Sequence, residues 1–197
     1  LRRKGRRYKK RGAVNNGRGQ IPDRVGIDKR PAVVDQKLRF GDLEADTIVG
    51  KDHKGAIVTL NDRASGILKM KKTETREATE VMTAINEMLE EWTPFIKTIT
   101  SDNGKEFSEH KKIAEQCQID FYFANPYSPW ERGANENLNG LIRQYFPKKS
   151  DFSLLSDKEI KRIETKLNNR PRKRFNFDNP LEMMDKLLFN TKVAFIT

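Results

Sequence analysis

The sequence predicts an α/β fold in which helices cover a mixed five-stranded sheet, with a basic arm at the amino end. Three observations carry this prediction. All of the net charge lies in the first fifth of the chain, strand-length apolar runs begin near residue 43, and the apolar period then changes between strand and helix. With 197 residues, 36% of them hydrophobic, the chain can form one core and a solvated appendage.

The basic arm spans residues 1–40. It holds 14 Lys or Arg against three Asp, a net charge of +11, whereas the other 157 residues carry 25 basic and 25 acidic groups. Its basic residues include Arg2, Arg3, Arg6, Arg7, Lys9, Lys10 and Arg11. Such an arm suits nucleic acid, because binding releases condensed counterions. Its Gly and Asn content predicts an extended arm, disordered until bound, and the alternative is a solubilising tail.

Composition excludes several classes of protein. The single cysteine, Cys117, allows neither an internal disulfide framework nor a cysteine-rich zinc site, which indicates a reducing compartment. Apolar runs are shorter than the roughly 18 residues of a membrane helix, and the start lacks the apolar stretch of a signal peptide. We therefore expect a cytoplasmic protein. The chain does not start with Met, which suggests that it begins partway through a longer protein.

Three strands are predicted first. They lie at Leu43–Gly50, Ala56–Asp62 and Ile67–Lys72, and the short connections between them predict an antiparallel meander. The tight connection at Arg63–Gly66 is rich in turn formers. A helix follows at Glu77–Trp92, because apolar residues recur there at three- and four-residue steps.

Strand and helix then alternate. We predict a strand at Ile96–Ser101, a helix at Phe107–Cys117 and a strand at Ile119–Phe123. A helix between two strands implies parallel neighbours joined by a right-handed crossover.

Two further helices follow a proline-containing loop. They are predicted at Gly133–Tyr145 and Asp157–Asn168. We assign residues 41–185 to the core and residues 186–197 to a carboxyl-terminal tail.

Three acidic residues lie at positions where they could bind catalytic metal ions. Asp46 interrupts an otherwise apolar strand, Asp102 follows the end of another strand, and Glu136 lies in the first or second turn of a helix. Phosphodiester cleavage or transfer without a nucleophilic side chain commonly uses two divalent ions held by hard oxygen ligands. A buried carboxylate is costly unless it is paired, so a metal ion is a natural partner for Asp46.

Each acid also has a simpler explanation. Asp46 shares a strand face with Glu44 and fits an alternating surface strand. Asp102 fits an Asx turn, and Glu136 fits a favourable acid near a helix amino terminus. Alone, none of the three identifies a site.

A further pair of possible ligands lies next to Asp102. Glu106 and His110 are four residues apart on a predicted helix, a spacing that suits metal binding. Because the same spacing recurs often by chance, we do not count either residue as a ligand.

Several other residues are candidates for contact with DNA. Arg143 lies seven residues after Glu136 on the same helix face, where it could reach a phosphate bound at the acids. Trp130 and Arg132 lie in the proline-containing loop, and loops often carry function. The basic run at residues 170–174 is either a solvated helix terminator or a second phosphate contact.

Together, the blocks that carry these residues resemble a known family. The blocks are LEADTIVG, TSDNGKEF, NPYSPWERGANENLNGLIRQYFPK and LNNRPRKR, with 33 residues between Asp102 and Glu136. They look like those of bacterial insertion-sequence transposases, and most closely the insertion-sequence-thirty family, over about residues 20–185. The resemblance implies a ribonuclease-H-like α/β fold, similar to the retroviral integrase core, with Asp46, Asp102 and Glu136 as its Asp-Asp-Glu catalytic and metal-binding set.

The resemblance also implies an activity and partners. It implies a transposase that nicks DNA at transposon ends and transfers the freed strand, using two Mg²⁺ ions, for which Mn²⁺ can substitute. The implied partners are terminal inverted repeats, target DNA and further copies of the chain, as a homodimer or larger homo-oligomer, at the bacterial nucleoid. Arg143 matches the basic residue often found seven places after the Glu. The helix-turn-helix region by which the family recognises its repeats is missing from this sequence.

The sequence departs from the family pattern at two places, and two other functions compete with the transposase. Leu43 stands where many relatives have Trp, and Phe175–Phe177 stands where they often have Leu-Gly. One rival is a non-catalytic DNA-binding module that keeps the fold and the arm. The other is a nuclease that never joins strands.

Overall fold

Five strands form one mixed sheet in the computed structural model of this chain. The structure describes residues 21–126, 128, 131 and 133–193, apart from the side chains of residues 53, 133, 134, 136 and 190–193. The strands are β1 (Asp42–Val49), β2 (Ala56–Asp62), β3 (Leu68–Thr73), β4 (Thr98–Ser101) and β5 (Asp120–Phe123), in the order β3-β2-β1-β4-β5. The first three pair antiparallel, and β4 and β5 extend the sheet in parallel from β1. The predicted meander, parallel pair and mixed five-stranded sheet are therefore confirmed.

Helices lie between and after the strands. They are α1 (Val33–Gln36), α2 (Ala78–Leu89), α3 (His110–Cys117), α4 (Gly133–Ile142), α5 (Asp157–Asn168) and α6 (Pro180–Val193). Short 3-10 segments lie at Ile27–Lys29, Lys51–His53, Lys105–Phe107, Phe152–Leu154 and Lys173–Phe175. Helix α5 begins at a capping box, in which the side chains of Ser156 and Glu159 bond each other's backbone N–H. The predicted helices α2 to α5 are confirmed to within three residues at each end.

The sheet buries a different core on each face. Leu43 and Ala45 of β1 lie in a core with side chains of α2 and α3, whereas Ile48 lies in a core with α4 and α5. Successive side chains of a strand point to opposite faces, so Glu44 and Asp46 share the side of Ile48. We call this side the Asp46 face.

An ionic cluster with buried arginines covers the β4 side of the Asp46 face. Arg63 donates to Glu44, which is 1% exposed, and Arg30 donates to Thr100 Oγ1 at 2.9 Å. Asp35 accepts hydrogen bonds from Arg30 and from Arg63, at 2.5 and 3.1 Å. Buried charges need such partners, since an unpaired one is costly. The cluster attaches the segment before β1 to the sheet.

The predicted boundary of the basic arm differs from the structure. Residues 1–20, which include the basic residues from Arg2 to Arg11, lie outside the described residues. Residues 21–40 fold onto the core: Ile21 is 5% exposed, and Val34 of α1 is fully buried. The charge count suggested a solvated segment, but Arg30 and Asp35 of this segment are paired with each other against the sheet.

The predicted tail boundary also differs. Helix α6 continues through the expected break between residues 185 and 186. Its start is held by Asn179, whose Oδ1 accepts from Glu182 N at 3.0 Å while Glu182 Oε2 accepts from Asn179 N at 2.8 Å. Its partly buried apolar residues, Leu181, Met184, Leu187 and Leu188, pack against the core beneath α2 and α3. Among the described residues, no helix combines the length and apolar character needed to cross a membrane.

Candidate active site

Adjacent parallel strands bring Asp46 and Asp102 to one edge of the sheet. The register pairs Glu44 of β1 with Thr100 of β4, and each acid lies two residues beyond that pair. Both acids are half-buried. The carboxyl ends of parallel strands are where ligands bind in open α/β sheets. We call this region, with Asp46 and Asp102, the acid edge.

Asp46 accepts hydrogen bonds from its own strand and from helix α4. Thr47 N donates to Asp46 Oδ1 at 2.9 Å, and Asn139 Nδ2 of helix α4 donates to Asp46 Oδ2 at 2.7 Å. The other amide atom, Asn139 Oδ1, is buried and has no hydrogen-bond partner within the described part of the chain. A buried oxygen of this kind beside a carboxylate suits a hard cation, which prefers oxygen ligands.

Helix α4 carries Glu136 to the same place. Leu138 and Ile142 anchor the helix in the core of the Asp46 face, and Asn139 contacts Asp46. Glu136 lies three residues before Asn139, and residues three apart are neighbours on a helix surface. The fold therefore brings the backbone of Glu136 to the acid edge, while its side chain lies outside the described part.

Asp102 forms the Asx turn that the sequence left open as an alternative. Its Oδ1 accepts from Gly104 N at 2.9 Å. A carboxylate has further acceptor positions, so the turn is compatible with a metal at the same group. A Cβ at residue 104 would lie 2.9 Å from that Oδ1 and 2.5 Å from Glu106 Oε2, so a larger residue would displace these carboxylates. The same distances place the two carboxylate oxygens at most about 5.4 Å apart.

Glu106 is attached to β1 beside Asp46. Its Oε1 accepts a hydrogen bond from Thr47 Oγ1 at 2.8 Å and another from Arg76. Burial acts to raise the pKa of Glu106, but hydrogen bonds from its own backbone, Arg76 and Thr47 outweigh it and hold the pKa below its ordinary value. Thr47 and Arg76 were not predicted from the sequence, because both contacts join distant parts of the chain.

His110 lies in an apolar environment. It is 4% exposed, and its ring centroid lies 5.7 Å from that of Phe121 and 4.9 Å from that of Phe123. Among the described side chains, which exclude Glu136, no group of three His, Cys, Asp or Glu is arranged to hold a metal ion.

Arg143 bonds the backbone at the end of helix α4. Its guanidinium donates to Val49 O at 2.8 Å, Phe146 O at 3.4 Å and Pro147 O at 3.5 Å. It also lies 5.6 Å from the centre of the Phe152 ring, and burial lowers its pKa. These contacts give Arg143 a structural role that the sequence did not indicate.

The first described residues lie beside the acid edge. Arg24 donates to Asn103, the neighbour of Asp102, and Lys111 donates to Asp23 at 2.6 Å. Residues 23 and 24 therefore lie next to the candidate site. Trp130 and Arg132 lie outside the described residues.

Comparison with solved structures identifies the fold. A crystal structure of the catalytic core domain of BIV integrase matches 77% of this chain and 97% of its own, with a TM-score of 0.58 and 17% identity. A cryoEM structure of a simian T-cell lymphotropic virus intasome with PP2A regulatory subunit B56 gamma matches 74% of this chain, with a TM-score of 0.60 and 16% identity. The fold is therefore that of a retroviral integrase catalytic core, and the predicted ribonuclease-H-like fold is confirmed.

Comparison with known sequences identifies the family, although no protein-family model matches. The chain is 55% identical over 195 residues to the transposase of element IS4351 from Bacteroides fragilis, covering 99% of this chain and 60% of the relative. It is 37% identical to the transposase of IS1086 from Cupriavidus metallidurans, over 88% of this chain and 51% of that protein. It is 34% identical to transposase InsI of IS30A from Escherichia coli, over 93% of this chain and 48% of that protein.

These relatives confirm the predicted family. The chain is a homologue of insertion-sequence transposases, among them those of IS30 elements, and has an integrase-like core. It spans about half to 60% of the length of the curated relatives it matches.

Proposed function

We propose that this chain is the catalytic core of a DNA transposase that nicks DNA at transposon ends and joins the freed strand to target DNA. The observation that carries the proposal is the arrangement of β1, β4 and α4. Their acids, Asp46 and Asp102, lie at one edge, and Asn139 ties the helix bearing Glu136 to Asp46.

The residues at the acid edge fit a divalent metal site. The candidate donors are Asp46, Asp102 and Glu136, with the buried Asn139 Oδ1 close by, and all of them are oxygens. Oxygen ligands favour Mg²⁺ or Mn²⁺ over softer metals. Two such ions would stabilise the attacking and leaving oxygens of the phosphodiester.

Neighbouring residues position the candidate metal ligands. Asn139 orients Asp46, and Glu106 with Arg76 keeps a compensated charge beside the Asp102 turn.

The proposed chemistry has two reactions. In the first reaction, water attacks a phosphodiester at the transposon end and a 3′-hydroxyl leaves. In the second, that 3′-hydroxyl attacks target DNA, one phosphodiester bond forms as another breaks, and no covalent protein intermediate is needed.

DNA binding is proposed for residues on three segments. The basic arm, from Arg2 to Arg11, supplies phosphate contacts. Trp130 and Arg132 contact DNA from the loop before α4, and Arg143 contacts a phosphate near Glu136. The proposed substrates are terminal inverted repeats and target DNA, and the working assembly is a homodimer or larger homo-oligomer on paired ends.

The test is a cleavage and joining assay. The purified chain is incubated with Mn²⁺ or Mg²⁺ and labelled DNA, and products are separated on a denaturing gel. Nicked and joined products support the proposal. Nicked products alone indicate the plain nuclease, and DNA binding without either product indicates the non-catalytic module.

A further inference from the structure

A basic groove lies next to the acid edge on the Asp46 face. It has a volume of about 250 Å³ and is lined by Asn61, Gly66, Asn137, Leu138, Leu141, Arg172, Lys173 and Arg174. We propose that this groove binds the phosphodiester backbone of the DNA strand that runs from the acid edge. The inference rests on the proposed function, because it assumes that DNA is the substrate.

The position of the groove supports this assignment. On one wall, Asn137 follows Glu136 directly in α4, and Leu138 precedes Asn139, which contacts Asp46. On the other wall, Asn61 lies two residues along β2 from Thr59, the register partner of Asp46. Two residues of strand span about 6.8 Å. A DNA strand held at the acid edge can therefore reach the groove without leaving this face.

The composition of the groove suits a phosphate. Its lining contains three cations and two neutral amides, and no carboxylate is among the described residues that form it. Two other cavities are lined partly by acids, one by Glu74, Glu80 and Asp157 and the other by Asp28, Asp35 and Glu131. A polyanion is repelled by such acids, so the basic groove is the better match among these three.

The loop of residues 172–174, which carries the three cations of the groove, is held in place by the fold. Arg172 N donates to Asp178 O at 3.0 Å, and Arg172 also donates through its guanidinium to Leu167 O at 3.0 Å. Asn168, at the end of α5, exchanges two hydrogen bonds of 2.8 Å with the backbone of Leu68 in β3. Lys173 and Arg174 are exposed residues, and the segment that carries them is anchored to the sheet.

Two acids near the groove are also held by other groups. Asp62 and Glu44 act to raise the pKa of Arg174, against the larger effect of burial of its guanidinium, which lowers it. Asp62 accepts hydrogen bonds from Gly41 N and Ser65, and Glu44 accepts one from Arg63. The side chain of Lys173 is exposed to a ligand, whereas the Arg174 guanidinium is partly buried, 4.3 Å from the centre of the Phe175 ring.

The test compares two charge-matched double variants in the full chain. Lys173→Ala with Arg174→Ala removes the two exposed cations of the groove and keeps Arg172, which holds the loop. Lys158→Ala with Arg162→Ala removes one exposed Lys and one exposed Arg from α5 and serves as the control. Affinity for a labelled DNA duplex is measured against salt concentration by fluorescence anisotropy, with circular dichroism to verify folding.

We expect the groove variant to bind DNA about tenfold more weakly, since charge-assisted contacts are lost. The slope of log affinity against log salt should fall by about 2, and the control should change much less. A single Lys173→Glu variant, compared with Lys158→Glu, gives the same contrast without removing Arg174, should the double variant not fold.

The outcomes separate this inference from the proposed function. If the parent binds and nicks DNA but the groove and control variants behave alike, the groove assignment is overturned and the proposed function stands. If the parent does not bind DNA, both are overturned. A selective loss of affinity and slope in the groove variants supports the inference.

Discussion

Asn139 Nδ2 donates a hydrogen bond to Asp46 Oδ2 at 2.7 Å, joining residues 93 positions apart in the chain. The contact attaches helix α4 to strand β1 at the acid edge. The packing of Leu138 and Ile142 fixes the same helix against the sheet. The backbone position of Glu136 relative to Asp46 therefore depends partly on this polar contact and on the core beneath the helix.

Asn139→Ala should slow nicking without unfolding the chain. A hydrogen bond to a charged group contributes about 1.5–3 kcal/mol, which corresponds to a rate loss of about 10- to 100-fold if Asp46 is mispositioned. The variant should also need more Mg²⁺ for half-maximal rate, and Asn139→Asp should be worse, because it places a like charge beside Asp46. Initial nicking rates across a Mg²⁺ series test this. Parental rates with an unchanged metal dependence would refute a positioning role.

Arg143→Ala should lower stability as well as activity. The guanidinium holds Val49 O and the backbone after α4, so its removal should cost about 1–3 kcal/mol of unfolding free energy. Arg143→Lys should recover only part of this, because an ammonium cannot reproduce the planar fork. Urea unfolding measures stability, and nicking by the folded variant tests the proposed phosphate contact. A variant as stable as the parent would contradict the structural role.

Arg76→Met should make the chain more sensitive to acid. The pKa of Glu106 is lowered in the folded state, so its stabilising contribution is present above its ordinary pKa and is lost as the pH falls through the lowered value. Without Arg76, burial remains to raise that pKa, and acid unfolding should begin at a higher pH. Circular dichroism during an acid titration measures the midpoint, with the exposed Arg170→Met as control. Equal midpoints for the two variants would contradict the prediction.

Removing residues 1–20 should weaken DNA binding and flatten its dependence on salt. That segment carries nine basic residues and no acid, so the slope of log affinity against log salt should fall by up to about 8. A longer deletion to residue 30 should also destabilise the core, because it removes buried Ile21 and the Arg30 contact to Thr100. Anisotropy titrations at several salt concentrations measure the slope. An unchanged slope after removal of 1–20 would show that the arm does not supply the affinity.

Local signals in the sequence predicted most of the sheet and its helices. Strand β2 and helix α5 have the predicted bounds, since apolar periodicity and the capping residues Ser156 and Glu159 are visible within a few positions. Helix α6 was missed although the Asn179 and Glu182 pair is the same kind of signal. Residues 186–197 were predicted to form a tail, whereas the helix begins at Pro180 in the predicted core and continues to Val193.

Long-range contacts could not be predicted in the same way. The buried position of Arg30 depends on Thr100, 70 residues away, so its charge suggested solvent exposure. The three acids of the proposed site were predicted from their sequence motifs. The parallel register of β1 and β4 brings two of them, Asp46 and Asp102, to one edge of the sheet. The groups that hold them, Asn139 and Arg76, act across distances in sequence that no local pattern covers.

The most direct test of the account is one cleavage assay in Mg²⁺ across six acid variants, each verified as folded by circular dichroism. Asp46→Asn, Asp102→Asn and Glu136→Gln keep the size of the side chain and remove the charge that holds a divalent ion, so each should abolish nicking and joining together. The matched controls are Glu44→Gln, Glu131→Gln and Glu106→Gln. Glu44 is paired with Arg63, and Glu131 accepts hydrogen bonds from Asn125, so the variants at these two positions should keep substantial activity. Glu106 lies closer to Asp102, so Glu106→Gln is the control variant most sensitive to changes at the site. If a folded Asp46→Asn, Asp102→Asn or Glu136→Gln chain cut DNA at close to the parental rate, the assignment of these three acids to the metal site would be contradicted.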